Sequence, residues 1–326
     1  MFQMFMMLGI LLTLSSSSWL SLWFGMELTV LFFIPFLTAN SWFGSVSSVW
    51  QFLLYSVFSS MTFLLSGCLL SSTEVFDNIS FSHVPILGVA VVLLLKLGLP
   101  PAHGWAVCVV GGLPWKGVYV FSTYLKVAPI CIMMNLTSFP SPVSPFVFVA
   151  LALAASASLR AFTVLSLRHI LIYSSVLSSG WLAGASLGSD GVAIAYAFMY
   201  FLSLFGITSL FSYWGVNSLR ELFTLEINQA EKLILLVSMA SLAGIPPSPG
   251  FFLKVAIISE ILFSSSLFTA TMLALSTLYV YNYICISTPA LLGGKEASWY
   301  TPPYSPGHLF PIMGSLGVLF LALLLV

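Results

Sequence analysis

The chain has 326 residues, of which 60% are apolar and 6% charged, whereas a soluble domain carries roughly 25% charged residues; it is not a soluble globular protein. Nine basic and nine acidic residues cancel to zero net charge, which removes nucleic acid as a partner and leaves no polybasic patch for a membrane surface. With so few charges, the position of each one is informative.

A membrane-spanning helix takes about 20 apolar residues, and dividing the sequence on that scale predicts an all-α polytopic membrane protein with eleven crossings. They are helix 1 at 3–22, helix 2 at 24–40, helix 3 at 47–71, helix 4 across 84–114 and helix 5 at 117–135. A linker at 136–145, with Pro140, Pro142 and Pro145, is the clearest internal boundary. Beyond it come helix 6 at 146–163, helix 7 at 168–188, helix 8 at 191–214, helix 9 across 231–263, helix 10 at 266–288 and helix 11 at 308–326. No charged leader with a small-residue cleavage site precedes helix 1, so the first helix is expected to stay.

Placing the loops alternately on two sides puts Lys116, Arg168, Arg220, Lys232 and Lys295 on the side of the amino terminus, and Glu74, Asp77 and Asp190 on the other. By the positive-inside rule the basic side is the cytoplasm or the mitochondrial matrix, and the odd helix count sends Val326 to the opposite face. Helices 4 and 9 are too long for one crossing, and each holds a diproline, Pro100-Pro101 and Pro246-Pro247. Proline removes an amide donor and clashes with the preceding turn, so both are expected to be broken helices beside a cavity. Each is fourth in its block of five, which predicts two five-helix repeats of opposite membrane orientation, 1–135 and 146–288, with 308–326 as a closing helix.

Lys126 falls at the middle of helix 5, where an ammonium costs about 2.5–3.5 kcal/mol on insertion scales. Lys96 lies four residues before Pro100 and Lys254 seven after Pro247, so a lysine stands beside each break. Glu27 interrupts the apolar run Phe24–Leu37, and His103 lies in the first break. A low-dielectric interior disfavours the charged form of an ammonium or a carboxylate, which brings both within reach of proton exchange through water. Two charges about 8 Å apart interact by roughly 2 kcal/mol at an effective dielectric of 20, so a proton arriving at one site can discharge the next. The expected proton-transfer set is Glu27, Lys96, Lys126 and Lys254, with His103 as a relay and Glu260, six residues after Lys254, as a secondary candidate. Each has a structural alternative. Glu27 can snorkel from a helix end, Lys126 can sit in a static ion pair, Lys96 and Lys254 can cap carbonyls freed by the prolines, and local backbone can satisfy His103.

Cys68, Cys108, Cys131 and Cys285 are far apart in apolar runs and read as packing residues rather than metal ligands or disulfides. Gly180, Gly184 and Gly188 form a double GxxxG that admits a close neighbour helix. The serines of Ser15–Ser18 can bond their own helix carbonyls. There is no phosphate-binding loop, dinucleotide glycine fingerprint or zinc spacing, hence no cofactor or metal is expected in this chain.

The stretches Leu93–Trp105 and Ser241–Lys254, with Leu167–Ser175 between them, resemble in order three signatures of the antiporter-like proton-pumping subunits of respiratory complex I. The resemblance extends over about residues 20–290 and fits the short animal form, which lacks three amino-terminal helices of its bacterial relatives. It implies that Glu27 is the glutamate paired with the first lysine, Lys96 that lysine, Lys126 the central bridging lysine and Lys254 the lysine of the second channel. His103 matches a histidine of the connecting hydrophilic axis, while His169 departs from the family where a lysine is common. The resemblance further implies a mitochondrial inner-membrane protein with its amino terminus in the matrix and its carboxyl terminus in the intermembrane space. Its partners would be other membrane-arm subunits and phospholipids, with NADH, FMN, iron–sulfur clusters and ubiquinone held by other subunits. A cation/proton antiporter subunit and a passive membrane scaffold are the alternative functions.

Overall fold

The computed structural model describes residues 2–16, 18–38, 46–76, 83–99, 103–137, 164, 166–222, 225, 227–246, 248–262 and 266–292. Among these the chain is helical, without strands beyond one isolated bridge between Ser166 and Ser218. Predicted helices 6 and 11, most of the proline linker, and Pro100, Pro101 and Pro247 lie outside the described residues. The chain divides into two compact units, Met1–Ala157 and Ser158–Val326.

Unit 1 holds α1 (Phe2–Ser15), α2 (Trp19–Thr38), α3 (Val46–Phe76), α4 (His83–Leu97), α5 (Gly104–Gly111) and α6 (Trp115–Thr137). The first boundary differs from expectation: the helix predicted to run to residue 22 stops at Ser15. Hydropathy gave no reason to stop there, but Ser18 and Ser21 exchange amide-to-hydroxyl hydrogen bonds of 3.3 Å in both directions. That reciprocal cap starts α2 inside an unbroken apolar run. With 14 residues, α1 is about 21 Å long, short of the roughly 30 Å of a hydrocarbon core. It packs tightly on α2: a Cβ on Gly9 would stand 3.0 Å from the Gly25 carbonyl oxygen, and one on Gly25 2.9 Å from that of Gly9.

Unit 2 holds α7 (Leu167–Leu187), α8 (Asp190–Trp214), the single turn α9 (Leu219–Leu222), α10 (Gln229–Ala243), α11 (Pro249–Ile261) and α12 (Ser266–Leu292). Six described helices, α2, α3, α6, α7, α8 and α12, are long and apolar enough to cross a membrane. The apolar window of α7 is 94% buried against 39% for α12, so α7 is the axis of its unit and the outer helices turn apolar faces outward. Cys68 and Cys108 lie on such exposed faces, which corrects the expectation that all four cysteines pack inside.

The residues predicted as helices 4 and 9 each form two segments, α4 with α5 and α10 with α11. Both first segments stop at a left-handed glycine, Gly98 at φ 68° and Gly244 at φ 73°. The Leu99 amide donates to Leu94 O at 2.9 Å, and the Ile245 amide to Ala240 O at 3.2 Å, closing each helix end in the same way. The stop signal is therefore the glycine two residues before the diproline, because only glycine takes that backbone conformation without strain.

Candidate functional site

In unit 1, Glu27 is mid-way along α2, far from either end, so snorkelling has no geometry here. Lys96 sits in the last turn of α4, where the carbonyl end of the helix favours a cation. Its Nζ lies 3.4 Å from Oε1 of Glu27, with the two side chains 8% and 17% exposed. Lys126, brought in by α6, is 3% exposed. Both lysines line one cavity of about 40 Å³, room for a few water molecules at roughly 10–15 Å³ each.

The cavity wall suits water. Thr29, Ser56 and Ser59 line it and donate to their own helix carbonyls at 2.7, 2.9 and 2.8 Å, which leaves hydroxyl lone pairs to accept from a water or an ammonium. The buried indole N–H of Trp105, another wall residue, has no acceptor among the described residues. Pro129 in α6 lines the cavity with Leu125 and has no amide to return to the Leu125 carbonyl. Phe52, Tyr55, Trp105 and Phe121, also in the wall, form an aromatic cluster with centroids 5.7–6.4 Å apart along its contacts.

In unit 2, the amides that would bond the Leu242 and Ala243 carbonyls in a continued helix belong to Pro246 and Pro247, which have none. Lys254 supplies the missing donors: its Nζ donates to Leu242 O at 3.1 Å and to Ala243 O at 2.8 Å. The Trp181 ring centroid is 5.7 Å from the same nitrogen, a cation–π contact. The capping role weighed for Lys254 is thus what the structure shows. It is compatible with proton exchange, since a neutral amine keeps two N–H donors for the two carbonyls and gives up the third hydrogen.

The remaining candidates are engaged elsewhere. His103 occupies the N-cap position of α5, is half-buried and is not among the residues that line the cavity. Glu260 accepts from the Ser189 hydroxyl at 2.6 Å and the Ser189 amide at 2.9 Å, so its carboxylate caps the start of α8. Gly188 is needed beneath it, because a Cβ there would collide with that carboxylate. Outside the spans, bonds of 2.7 Å from the Asn217 amide and the Ser218 hydroxyl hold the Glu221 carboxyl below its usual range.

The structure therefore brings Lys96 and Lys126 to one hydratable space, with Glu27 paired to Lys96, and places Lys254 on the end of α10. Sequence reasoning missed three contributors: the two left-handed glycines, Pro129 beside Lys126, and the polar cavity wall from α3. A glycine two residues before a diproline was a readable signal for the first. The serines of α3 carry none, because their spacing alone does not say which face is enclosed.

The chain matches the family described as NADH:quinone oxidoreductase/Mrp antiporter, TM, over residues 16–279. It is similar to NADH-ubiquinone oxidoreductase chain 2 of Anopheles gambiae, with 30% identity over 308 residues that cover 91% of this chain and 87% of the relative. The protein of the same name from Myxine glutinosa is 27% identical over 332 residues, covering 97% of this chain and 93% of the relative. Among solved structures, a chain of respiratory complex I from Thermus thermophilus with bound aureothin superposes with a TM-score of 0.86 at 20% identity. That superposition covers 98% of this chain and 76% of the other, and it establishes the fold alone.

Proposed function

The chain belongs to the NADH:quinone oxidoreductase/Mrp antiporter transmembrane family, and on that footing we propose that it works as a chain-2-type membrane-arm subunit of NADH:ubiquinone oxidoreductase. It moves protons through Glu27, Lys96, Lys126 and Lys254 while quinone is reduced elsewhere in the complex. The observation that carries this reading is the cavity of unit 1, where Lys96, paired with Glu27, and a second buried lysine share room for water. Two amines on one hydrated space, one of them paired with a carboxylate, exchange protons without breaking other bonds. At separations of about 8 Å, a change of charge at one shifts its neighbour by roughly 2 kcal/mol at an effective dielectric of 20. Protonation of Glu27 would release Lys96 from its partner, and the freed ammonium would then repel a proton on Lys126 across the water.

The finer architecture follows in the same reading. Two inverted five-helix repeats, 1–135 and 146–288, with broken helices 4 and 9 and a closing helix at 308–326, are supported by the matching glycine-stopped ends of α4 and α10. In the same reading the chain lies in the mitochondrial inner membrane, like its relatives, and the asymmetry of lysine and arginine between predicted loops supports an amino terminus in the matrix and a carboxyl terminus in the intermembrane space. Other membrane-arm subunits and phospholipids surround the chain, and NADH, FMN, iron–sulfur clusters and ubiquinone belong to other subunits.

Lys126→Met tests the proposal, since methionine keeps most of the aliphatic stem and removes the titrating amine. The expected outcome is an assembled complex whose NADH-driven proton transport in vesicles falls at least tenfold. Normal transport from the assembled variant would remove Lys126 from the route. Loss of assembly would favour a scaffold, and proton transport without NADH-oxidising partners an antiporter.

A further inference from the structure

Helix α11 carries Lys254, so whatever holds that helix decides where the amine stands. Its start is pressed on the end of α10: a Cβ on Gly250 would collide with the Ser241 carbonyl oxygen, and the Ser248 hydroxyl donates to Ala240 O at 3.1 Å. Its middle buries Leu253 and Ile257 beside the lysine, and such apolar contacts have no preferred direction. Its last turn holds Glu260, whose two carboxylate oxygens take two donors of one residue. Oε2 accepts from the Ser189 amide at 2.9 Å and Oε1 from the Ser189 hydroxyl at 2.6 Å. Hydrogen bonds to a carboxylate are roughly twice as strong as neutral ones, and a two-point contact fixes orientation as well as distance.

Ser189 and Gly188 are both adapted to this grip. Ser189 is the N-cap residue of α8, yet its side chain makes no cap bond to its own helix; the hydroxyl goes to Glu260 instead. Gly188 leaves room for the carboxylate, since a Cβ there would stand 2.9 Å from Cβ of Glu260. The same face of α11 meets α7 at the lysine, where the Trp181 ring centroid is 5.7 Å from Nζ. Lys254 and Glu260 are about 9 Å apart along their helix, and Trp181 and Gly188 about 10 Å apart along theirs. These spacings match, so α11 runs beside the second half of α7 and is held to it at two levels.

Pinned at Gly250 alone, α11 would be free to pivot. Lys254 stands about 6 Å further along the helix, so a tilt of roughly 10° carries it about 1 Å, the whole margin between a 2.8 Å bond to Ala243 O and none. The stem has little room to follow, being packed on Gly244 and the Trp181 ring. We propose that Glu260 is a positioning residue for proton transfer at Lys254: by gripping Ser189 at the turn between α7 and α8, it fixes the tilt of α11 and with it the place of the amine on the Leu242 and Ala243 carbonyls. Glu260 carries no proton of its own in this role, which rests on the reading of Lys254 as a proton carrier. Ser189 is exposed, so losing the contact costs the fold little and tells at the lysine rather than in assembly.

The test is made in the whole complex, reconstituted in vesicles, with Glu260→Ala, Glu260→Gln, Ser189→Ala and Ser189→Thr. NADH-driven proton transport is measured for each, and the position of Lys254 is read from a structure of the assembled Glu260→Ala complex. Near-wild-type assembly is expected throughout. Transport should fall several-fold in Glu260→Ala, less in Glu260→Gln, which keeps one acceptor, and less in Ser189→Ala, which keeps the amide bond; Ser189→Thr, which keeps the hydroxyl, should match wild type. The amine should have left at least one of its two carbonyls. An amine still on both overturns the positioning role, whatever transport does. An amine displaced with transport unchanged shows instead that the reading of Lys254 itself has failed. Equal loss in Glu260→Ala and Glu260→Gln with wild-type transport in Ser189→Ala would make Glu260 a proton carrier and overturn the proposal from the other side. If Glu260→Ala does not assemble, transport and structure of Ser189→Ala against Ser189→Thr decide by the same criteria.

Discussion

Helices α4 and α10 end alike, at Gly98 and Gly244, each two residues before a diproline, yet the lysines beside them are engaged differently. Lys96 precedes its break and points sideways to Glu27 on another helix. Lys254 follows its break and reaches back to the two carbonyls that the prolines leave without amides. The partner of Lys96 is a carboxylate, so the contact joins two opposite charges. The partners of Lys254 are peptide dipoles, which hold the amine in place and never change charge. One backbone signal thus accompanies a coupled site in unit 1 and a fixed site in unit 2, set by which side of the break the lysine occupies and by what the packing brings to it.

The largest effect that would break this contrast is expected at Lys254. Lys254→Met leaves two buried carbonyls unpaired, at about 1–3 kcal/mol each, and should lower both the amount of assembled complex and its melting temperature. Lys254→Arg keeps donors for both carbonyls but stays charged at any working pH, so it should assemble and yet lose proton transport at least tenfold. Equal stability of the two variants would deny the capping role. The next effect sharpens the unit 1 side. Lys96→Met strands the Glu27 carboxylate in a largely enclosed place, and adding Glu27→Gln should recover part of the loss. A double-mutant cycle on thermal stability should give a coupling of roughly 0.5–3 kcal/mol; strict additivity would mean that the 3.4 Å contact carries no energy.

Much of this was legible in the sequence because a charge in an apolar run is conspicuous. Glu27, Lys96, Lys126 and Lys254 are visible by composition alone, and a lysine near a diproline invites a capping or proton role. What a lysine contacts is not visible, since Lys96 and Lys254 stand in similar contexts and only tertiary packing decides between Glu27 and backbone. The α1–α2 boundary was misplaced because a pair of serine hydroxyls, Ser18 and Ser21, outweighs hydropathy locally.

The smallest effect distinguishes the two glycines. Alanine in the left-handed conformation costs about 1–2 kcal/mol at either site, so Gly98→Ala and Gly244→Ala share that loss of stability. Their surroundings do not match. The new methyl at 98 would stand 3.0 Å from Cβ of Ala106, which moves only with the backbone of α5 and carries no proton-exchanging group. At 244 it would stand 2.8 Å from Cδ and 2.9 Å from Nζ of Lys254, so the amine must move and loosen at least one of its carbonyl bonds. Melting temperature and NADH-driven proton transport, measured on the same preparations, should therefore part company. Gly98→Ala should lower the first and spare the second, whereas Gly244→Ala should lower both. If transport is equally unaffected in the two variants, the position of Lys254 does not matter to the proton, and the fixed site in unit 2 would be a structural cap and nothing more.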